Sequence, residues 1–130
     1  MNDGLREINE LSGVWGSFVS NNRGEVILNR TPPDLAKSVL GNISRQILEL
    51  VVSSADQLKD LSEIVFHFAE KKLFVVDLNK AILIVVCTPS VDTSLLRMTI
   101  NVVRTTWDDD AKVQTLLQKN YMERVGLDQE

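Results

Sequence analysis

Arrangements of side chains that could carry out catalysis are nearly absent from this sequence of 130 residues. His67 is the only histidine, and Cys87 is the only cysteine. His67 stands between two phenylalanines in a strand-like run and has no evident nucleophile to serve, so the pattern favours a structural or interface role. Cys87 ends an apolar run. We expect a packed small side chain there, because a reactive thiol needs an accessible and electropositive setting.

The acidic run Asp108–Asp110 is the feature most suggestive of a metal. It lacks the alternating oxygen ligands, the glycine and the closing glutamate of a calcium-binding loop, so a helix cap or a solvated linker is the better interpretation. A single cysteine excludes a thiolate zinc cluster. The sequence also contains no glycine-rich phosphate loop and no GxSxG motif. We therefore expect no catalytic residues, no cofactor and no bound metal.

Composition and charge narrow the class of partner. The net charge of −4 argues against a nucleic-acid surface, which would normally be basic. The first residues, MNDGLREINEL, have no basic region followed by an apolar core, so they do not predict a secretory signal. The longest apolar run, Ala81–Cys87, is too short to span a bilayer. We expect a cytoplasmic chain without membrane insertion.

The chain is organised around a long helix that is predicted from Thr31 to about Ser53. Thr31 can cap the first amides, and the two prolines after it stand where a missing N–H costs little. Apolar residues follow at three- and four-residue spacing and cover ~220° of the helix circumference, whereas one sheet face needs a stripe of about 100°. The surplus favours a second partner for this helix. The alternative is burial between the sheet and a C-terminal segment.

A narrow polar strip lies on the opposite side of this helix. Its residues are our candidates for binding a partner protein: Ser38, Asn42, Arg45 and Glu49. An ordinary solvated face is the alternative, since polar residues are the norm on a surface. Gly41, in the same strip, would allow another helix to cross closely.

The remaining apolar runs predict an α/β fold of the α+β type. We expect a five-stranded antiparallel sheet with the long helix on one face and the N- and C-terminal helices on the other, followed by a short C-terminal helical tail. The predicted strands are 14–20, 25–29, 63–69, 73–77 and 81–87. Gly16 suggests a close approach, which we assign to a helix lying across the first strand. We also expect Trp15 to pack near Trp107.

Two apolar lines run along the helix predicted after Pro89, which Asp92 or Ser90 would cap. One line contains Leu95, Met98, Val102 and Thr106, and the other contains Leu96, Ile100, Val103 and Trp107. The tail after the acidic run predicts a further amphipathic helix with a C-terminal stop at Gly126. Its apolar residues are Val113, Leu116, Leu117, Tyr121 and Val125. This tail can fold back on the domain or dock on a partner as a helix in a groove.

The run Ile64–Ala69 follows the long helix and is expected at an edge of the sheet. It is hydrophobic and carries no proline or bulge signal, which makes it prone to pair with another chain. Pairing with the same edge of a second copy across a twofold axis would also give the long helix its second partner. The residues that we assign to this dimer interface or its supporting core are Val39, Ile43, Ile47, Leu50, Ile64, Phe66 and Phe68.

Taken together, these features resemble the Roadblock / dynein light chain family over about Leu5–Trp107. The resemblance rests on GVWGSFV at 13–19, NRGEVI at 22–27, the long helix, LSEIVF at 61–66 and the closing apolar strand. It implies homodimers or heterodimers in which sheets join edge to edge and two long helices lie side by side. Members bind and regulate small Ras-like GTPases, or act as scaffolds in motor and signalling complexes. We assign residues 1–107 to a Roadblock-like domain and 108–130 to the helical tail.

This compact chain is most similar to the MglB-type members of bacteria and archaea, whose partners are MglA-type GTPases. The resemblance implies a non-enzymatic homodimeric regulator that binds such a GTPase through its paired long helices and supplies no arginine finger. A scaffold subunit that pairs with another Roadblock-like chain is the alternative. A third hypothesis is a small-ligand sensor, but the apolar strands carry no cluster of convergent polar groups.

Overall fold

A computed structural model describes residues 1–32, 37–53, 63–68, 70–78 and 80–128. Within these ranges the helices are α1 (Asn2–Asn9), α2 (Lys37–Ser53), α3 (Thr93–Asp108) and α4 (Ala111–Asp128). The strands are β1 (Val14–Asn21), β2 (Val26–Arg30), β3 (Glu63–Phe68), β4 (Lys71–Asp77) and β5 (Ala81–Cys87). This order of elements confirms the predicted α+β fold.

The five strands join in one antiparallel sheet with the order β2-β1-β5-β4-β3. β5 is the last of these strands in the chain, yet it lies in the middle of the sheet, and each of its residues is buried. Both of its faces are covered, as its unbroken apolar run predicts. The edge strands are β2 and β3, so the expected edge position of β3 is confirmed.

Helices cover both faces of this sheet. On one face α2 buries Leu40, Ile43 and Ile47 among strand side chains that include Phe18 and Ile84. On the other face α1, α3 and α4 share a second core cluster. Its helical members are Leu5, Ile8, Leu96, Ile100, Val103, Trp107, Val113 and Leu117. The predicted division of the helices between the two faces is confirmed.

The β1–β2 hairpin turns at Gly24, whose φ of +82° favours glycine. The carboxamide oxygen of Asn21 accepts hydrogen bonds from the backbone N–H groups of Arg23 (2.9 Å) and Glu25 (3.0 Å), so one side chain holds the turn. Ile27 is skipped in the pairing with β1, which marks a β-bulge in the edge strand β2.

Gly16 is a point of close approach, but its neighbour is not the helix that we expected. A Cβ atom at Gly16 would lie 3.0 Å from Cα of Thr31 and 3.1 Å from Cδ of Pro32. The chain that leaves β2 passes over β1 here, so the predicted crossing helix is wrong. A glycine within a strand signals that something lies close to it without indicating which element that is.

The two tryptophans occupy different environments, so the expected packing of one near the other is wrong. Trp15 is 38% exposed, and Nζ of Lys71 lies 4.8 Å from the centre of its ring. Trp107 is buried in the cluster beneath α1, where Gly4 leaves room for its indole.

Acidic side chains begin the last two helices. Asp92 is the N-cap of α3, and its Oδ1 accepts a hydrogen bond from the N–H of Leu95 at 3.1 Å. Asp110 begins α4 in the same way by accepting from the N–H of Lys112 at 2.9 Å. These bonds agree with the interpretation of the acidic run as a helix cap.

α4 continues through Gly126 to Asp128, so the predicted stop at Gly126 is wrong. A single glycine costs a helix about 1 kcal/mol, which does not by itself end it. Val113 and Leu117 are buried in the cluster shared with α1 and α3, so this part of the tail folds back on the domain. The predicted start of α2 extends into residues 33–36, which lie outside the described ranges.

Candidate interaction surfaces

The outward face of α2 brings together three of the four residues predicted to bind a partner. Asn42, Arg45 and Glu49 are exposed on successive turns. Nη2 of Arg45 donates a hydrogen bond to Oδ1 of Asn42 at 2.8 Å. The side chain of Ser38 lies outside the described part of the structure. We call Asn42, Arg45 and Glu49 the α2 outer face, because they point away from the sheet.

The β1–β2 turn borders this outer face. A Cβ atom at Gly24 would lie 2.5 Å from Cγ of Arg45 and 3.3 Å from its Cα, so Arg45 rests directly on the glycine. Beside it, Arg23 and Glu25 form an ion pair with Nε and Oε1 2.7 Å apart. The sequence did not predict these two charged neighbours. Gly24 was the signal for a close contact here, but the β1–β2 turn alone was enough to explain a glycine at this position.

The residues assigned to the dimer fall into two groups on α2. Val39 is 41% exposed, so its apolar side chain is available for contact with another chain. Ile43 and Ile47 are only 8% and 3% exposed and pack against the sheet within one protomer. They therefore support α2 from the side that faces the sheet. The side chain of Leu50 lies outside the described part of the structure.

β3 presents a regular edge. Its pairing with β4 runs without a shift from Glu63 opposite Val76 to Phe68 opposite Lys71. Phe66 is half-buried and packs against the core beneath α2. Ile64 is also half-buried, whereas the side chain of Phe68 is not described. The structure thus brings apolar side chains of β3 to the sheet face that α2 covers.

The opposite face of β3 is tied to α3 by charge. Arg97 of α3 forms an ion pair with Glu63, and its guanidinium carbon lies 5.6 Å from the ring centre of Phe74. His67 is exposed and stands opposite Lys72 on β4. Its position at the sheet edge is one where contact with another chain is possible.

The model of the Roadblock/LC7 domain matches residues 2–88 of this chain, which is more than half of its length. The chain belongs to the Roadblock/LC7 family. No curated protein sequence matches it.

Solved structures of Roadblock/LC7 proteins share the fold. An MglB with a tetrameric arrangement superimposes with a TM-score of 0.70 at 14% identity, covering 89% of this chain and 88% of that one. The gliding protein MglB from Thermus thermophilus gives 0.64 at 15% identity, with coverages of 79% and 82%. The Roadblock/LC7 domain from Streptomyces avermitilis gives 0.64 at 12% identity, with coverages of 82% and 92%. At these identities the similarity shows the fold.

The thiol of this Roadblock/LC7 chain lies inside the protein. Cys87 is fully buried, and its Sγ donates to the carbonyl oxygen of Lys72 at 3.3 Å. Burial raises the pKa of the Cys87 thiol, and the charge of Lys72 opposes that rise. Among the described residues, no three His, Cys, Asp or Glu side chains are grouped to hold a metal. In the same ranges, no helix has the length and apolar character needed to cross a membrane.

Proposed function

We propose that this Roadblock/LC7 chain is a non-enzymatic, cytoplasmic regulator of a small Ras-like GTPase of the MglA type, and that it acts as a homodimer. The observation that carries the proposal is the regular edge of β3, whose Phe66 packs against the core beneath α2. An edge of this kind pairs readily with another strand. The MglB proteins among the similar structures support the choice of partner.

The geometry of such a dimer follows from symmetry. A twofold axis perpendicular to the sheet joins two β3 edges in antiparallel fashion and keeps both copies of α2 on the same face. The exposed Val39 is then available to the second helix. The outer faces of the two helices become one polar surface, which carries Asn42, Arg45 and Glu49 from each copy.

The test of this surface is the binding of an MglA-type GTPase loaded with a non-hydrolysable GTP analogue. Arg45→Glu reverses a charge in the α2 outer face, and we expect it to weaken binding about tenfold or more. Arg6→Glu is the matched control, because Arg6 is exposed on α1 at the other face of the sheet. Circular dichroism checks the fold of both variants, and light scattering checks that both keep the mass of the wild type.

Two results would contradict the proposal. If Arg45→Glu and Arg6→Glu bind the GTPase as tightly as the wild type, the α2 outer face is not the binding surface. If the wild type is a monomer at micromolar concentration, the paired surface does not form. That result would favour the scaffold alternative, which predicts that a second Roadblock-like chain co-purifies from the native cell.

A further inference from the structure

α3 carries an apolar stripe that the described part of the chain leaves exposed. Leu95, Met98 and Val102 are 46%, 65% and 63% exposed, and they follow one another at spacings of three and four residues. Such spacing places them along one side of the helix. Among the large apolar side chains whose exposure the structure describes, half of the exposed ones belong to this α3 stripe. Its partner line on the helix, which includes Leu96 and Val103, is buried.

The polar groups that border the stripe cost little to remove from water. The hydroxyl of Thr99 donates to the carbonyl of Leu95 at 3.0 Å, and the hydroxyl of Thr106 donates to that of Val102 at 3.0 Å. Thr105 does the same with Asn101 at 2.9 Å. Because these hydroxyl donors already have acceptors within the helix, covering the stripe breaks few bonds to solvent.

The α3 stripe is separate from the proposed dimer surface. α3 lies on the sheet face opposite α2. With about 100° per residue, Val102 lies roughly 140° around the helix from Arg97, the residue that reaches β3. The stripe therefore faces away from the β3 edge and stays uncovered in a dimer built on that edge.

The ends of the stripe are acidic. Asp92 precedes Leu95 at the N-terminal end, while Asp108 and Asp109 follow at the C-terminal end. All three are exposed. No charged residue stands on the stripe between them. A helix that covers the stripe therefore meets negative charge at both of its ends.

The neighbouring helix adds to this negative charge. α1 packs beside α3, where Gly4 leaves room for α3 side chains. Glu7 on α1 and Glu10 directly after it are exposed, and the one basic residue of α1, Arg6, is paired with Asp3 at 3.4 Å. The helix beside α3 therefore carries more exposed acidic than basic side chains.

We infer that the α3 stripe binds an amphipathic helix of another protein, one with apolar residues at spacings of three and four and with lysine or arginine at both ends. Such a helix matches the stripe in periodicity and in charge. A second copy of α3 is disfavoured, because either direction of packing brings acidic ends together. An anionic membrane surface is disfavoured for the same reason.

The test uses two labelled synthetic peptides of about five helical turns, with leucines at the same spacing as the stripe. One peptide carries lysines at both ends, and the other carries glutamates there. Fluorescence anisotropy measures their binding to the wild type, to Val102→Asp and to Asn101→Asp. Asn101→Asp is the matched control, because it introduces the same carboxylate next to the stripe on an exposed position.

We expect the wild type and Asn101→Asp to bind the lysine peptide at least about tenfold more tightly than the glutamate peptide. Val102→Asp should lose about tenfold in affinity for the lysine peptide even though it adds a negative charge, since the apolar contact is lost. Equal binding of the lysine peptide by wild type and Val102→Asp would overturn the inference, as would equal binding of both peptides. A smaller mass in light scattering for Val102→Asp alone would assign the stripe to a second copy and overturn it as well.

Discussion

β2 and β3 are the two edges of one sheet, yet within the described residues only β2 is covered by other parts of its own chain. β2 is bulged at Ile27, and Asn9 of α1 donates from Nδ2 to the carbonyl of Arg30 at 2.8 Å. Asn29 then accepts from both the amide and the hydroxyl of Thr31. β3 keeps an unshifted register with β4 from Glu63 to Phe68, and Glu63 also forms an ion pair with Arg97 of α3. Bulges and edge-covering side chains are how proteins prevent pairing, so the contrast indicates which edge is available for it.

The largest expected effect comes from placing the same charge on each edge. Phe66→Asp on β3 should raise the dissociation constant of the proposed dimer about a hundredfold or more, because the twofold symmetry would place two carboxylates in one apolar contact. Asn29→Asp on β2 should leave the dimer intact. Light scattering over a range of concentrations measures both.

Because Phe66 also packs against the core, Ile64→Lys serves as a second β3 variant. Ile64 is half-buried at the same edge. If both variants fold and keep the mass of the wild type, the β3 edge is not the dimer interface.

The second largest effect, a loss of stability, is expected at the β1–β2 turn. Gly24→Ala should destabilise the fold by about 1–3 kcal/mol, because alanine is strained at a positive φ and would crowd Arg45. Gly41→Ala is the control. It lies in α2 with no atom within 4 Å of the added Cβ, and should stabilise the fold by about 0.5–1 kcal/mol. Denaturant unfolding at a fixed protein concentration measures both. If both variants change the unfolding free energy in the same direction, the strain assigned to alanine at position 24 is contradicted.

A smaller effect is expected where α1 covers β2. Asn9 also accepts from the buried hydroxyl of Ser17 at 2.7 Å, so Asn9→Ala leaves that donor and the Arg30 carbonyl without their partner. We expect a loss of about 1–2 kcal/mol in unfolding free energy. Asn101→Ala, at an exposed position on α3, should cause no loss. An unchanged stability for Asn9→Ala would mean that water covers this edge equally well.

The smallest effect is expected at the ion pair that holds β3. Arg97→Ala removes the contact with Glu63 and the approach to Phe74, but Arg97 is half-exposed. Solvent therefore screens the pair, and the loss should stay below about 1 kcal/mol. Arg6→Ala, which removes a more exposed pair on α1, should be neutral by thermal unfolding. A loss of several kcal/mol for Arg97→Ala would show that β3 depends on α3 far more than the exposure of this pair indicates.

The sheet could be predicted from the sequence because its signals are local. The unbroken apolar run of β5 predicts burial on both faces, and the short turns of the meander require antiparallel neighbours. The edge position of β3 follows from its place after the long helix. The division of the helices then follows from the need to cover both faces.

Features that depend on distant parts of the chain could not be predicted in this way. The two apolar lines of α3 have similar spacing, and packing against α1 and the sheet decides that Val103 is buried while Val102 is exposed. The contact of Arg45 with Gly24 joins α2 to a turn that is remote in sequence. Gly16 showed a close approach, but its neighbour Thr31 is set by the path that the chain takes after β2.

The central position of β5 has a consequence for the order of folding. β1 and β4 both pair with β5, so neither face of the sheet is complete until Ala81–Cys87 has been synthesised. Until then the β1–β2 hairpin and α2 have apolar side chains without a full sheet to cover them. Pairing between distant parts of a chain slows folding, and exposed apolar surface promotes aggregation meanwhile. We expect the nascent chain to depend most on chaperones in the interval before β5 leaves the ribosome.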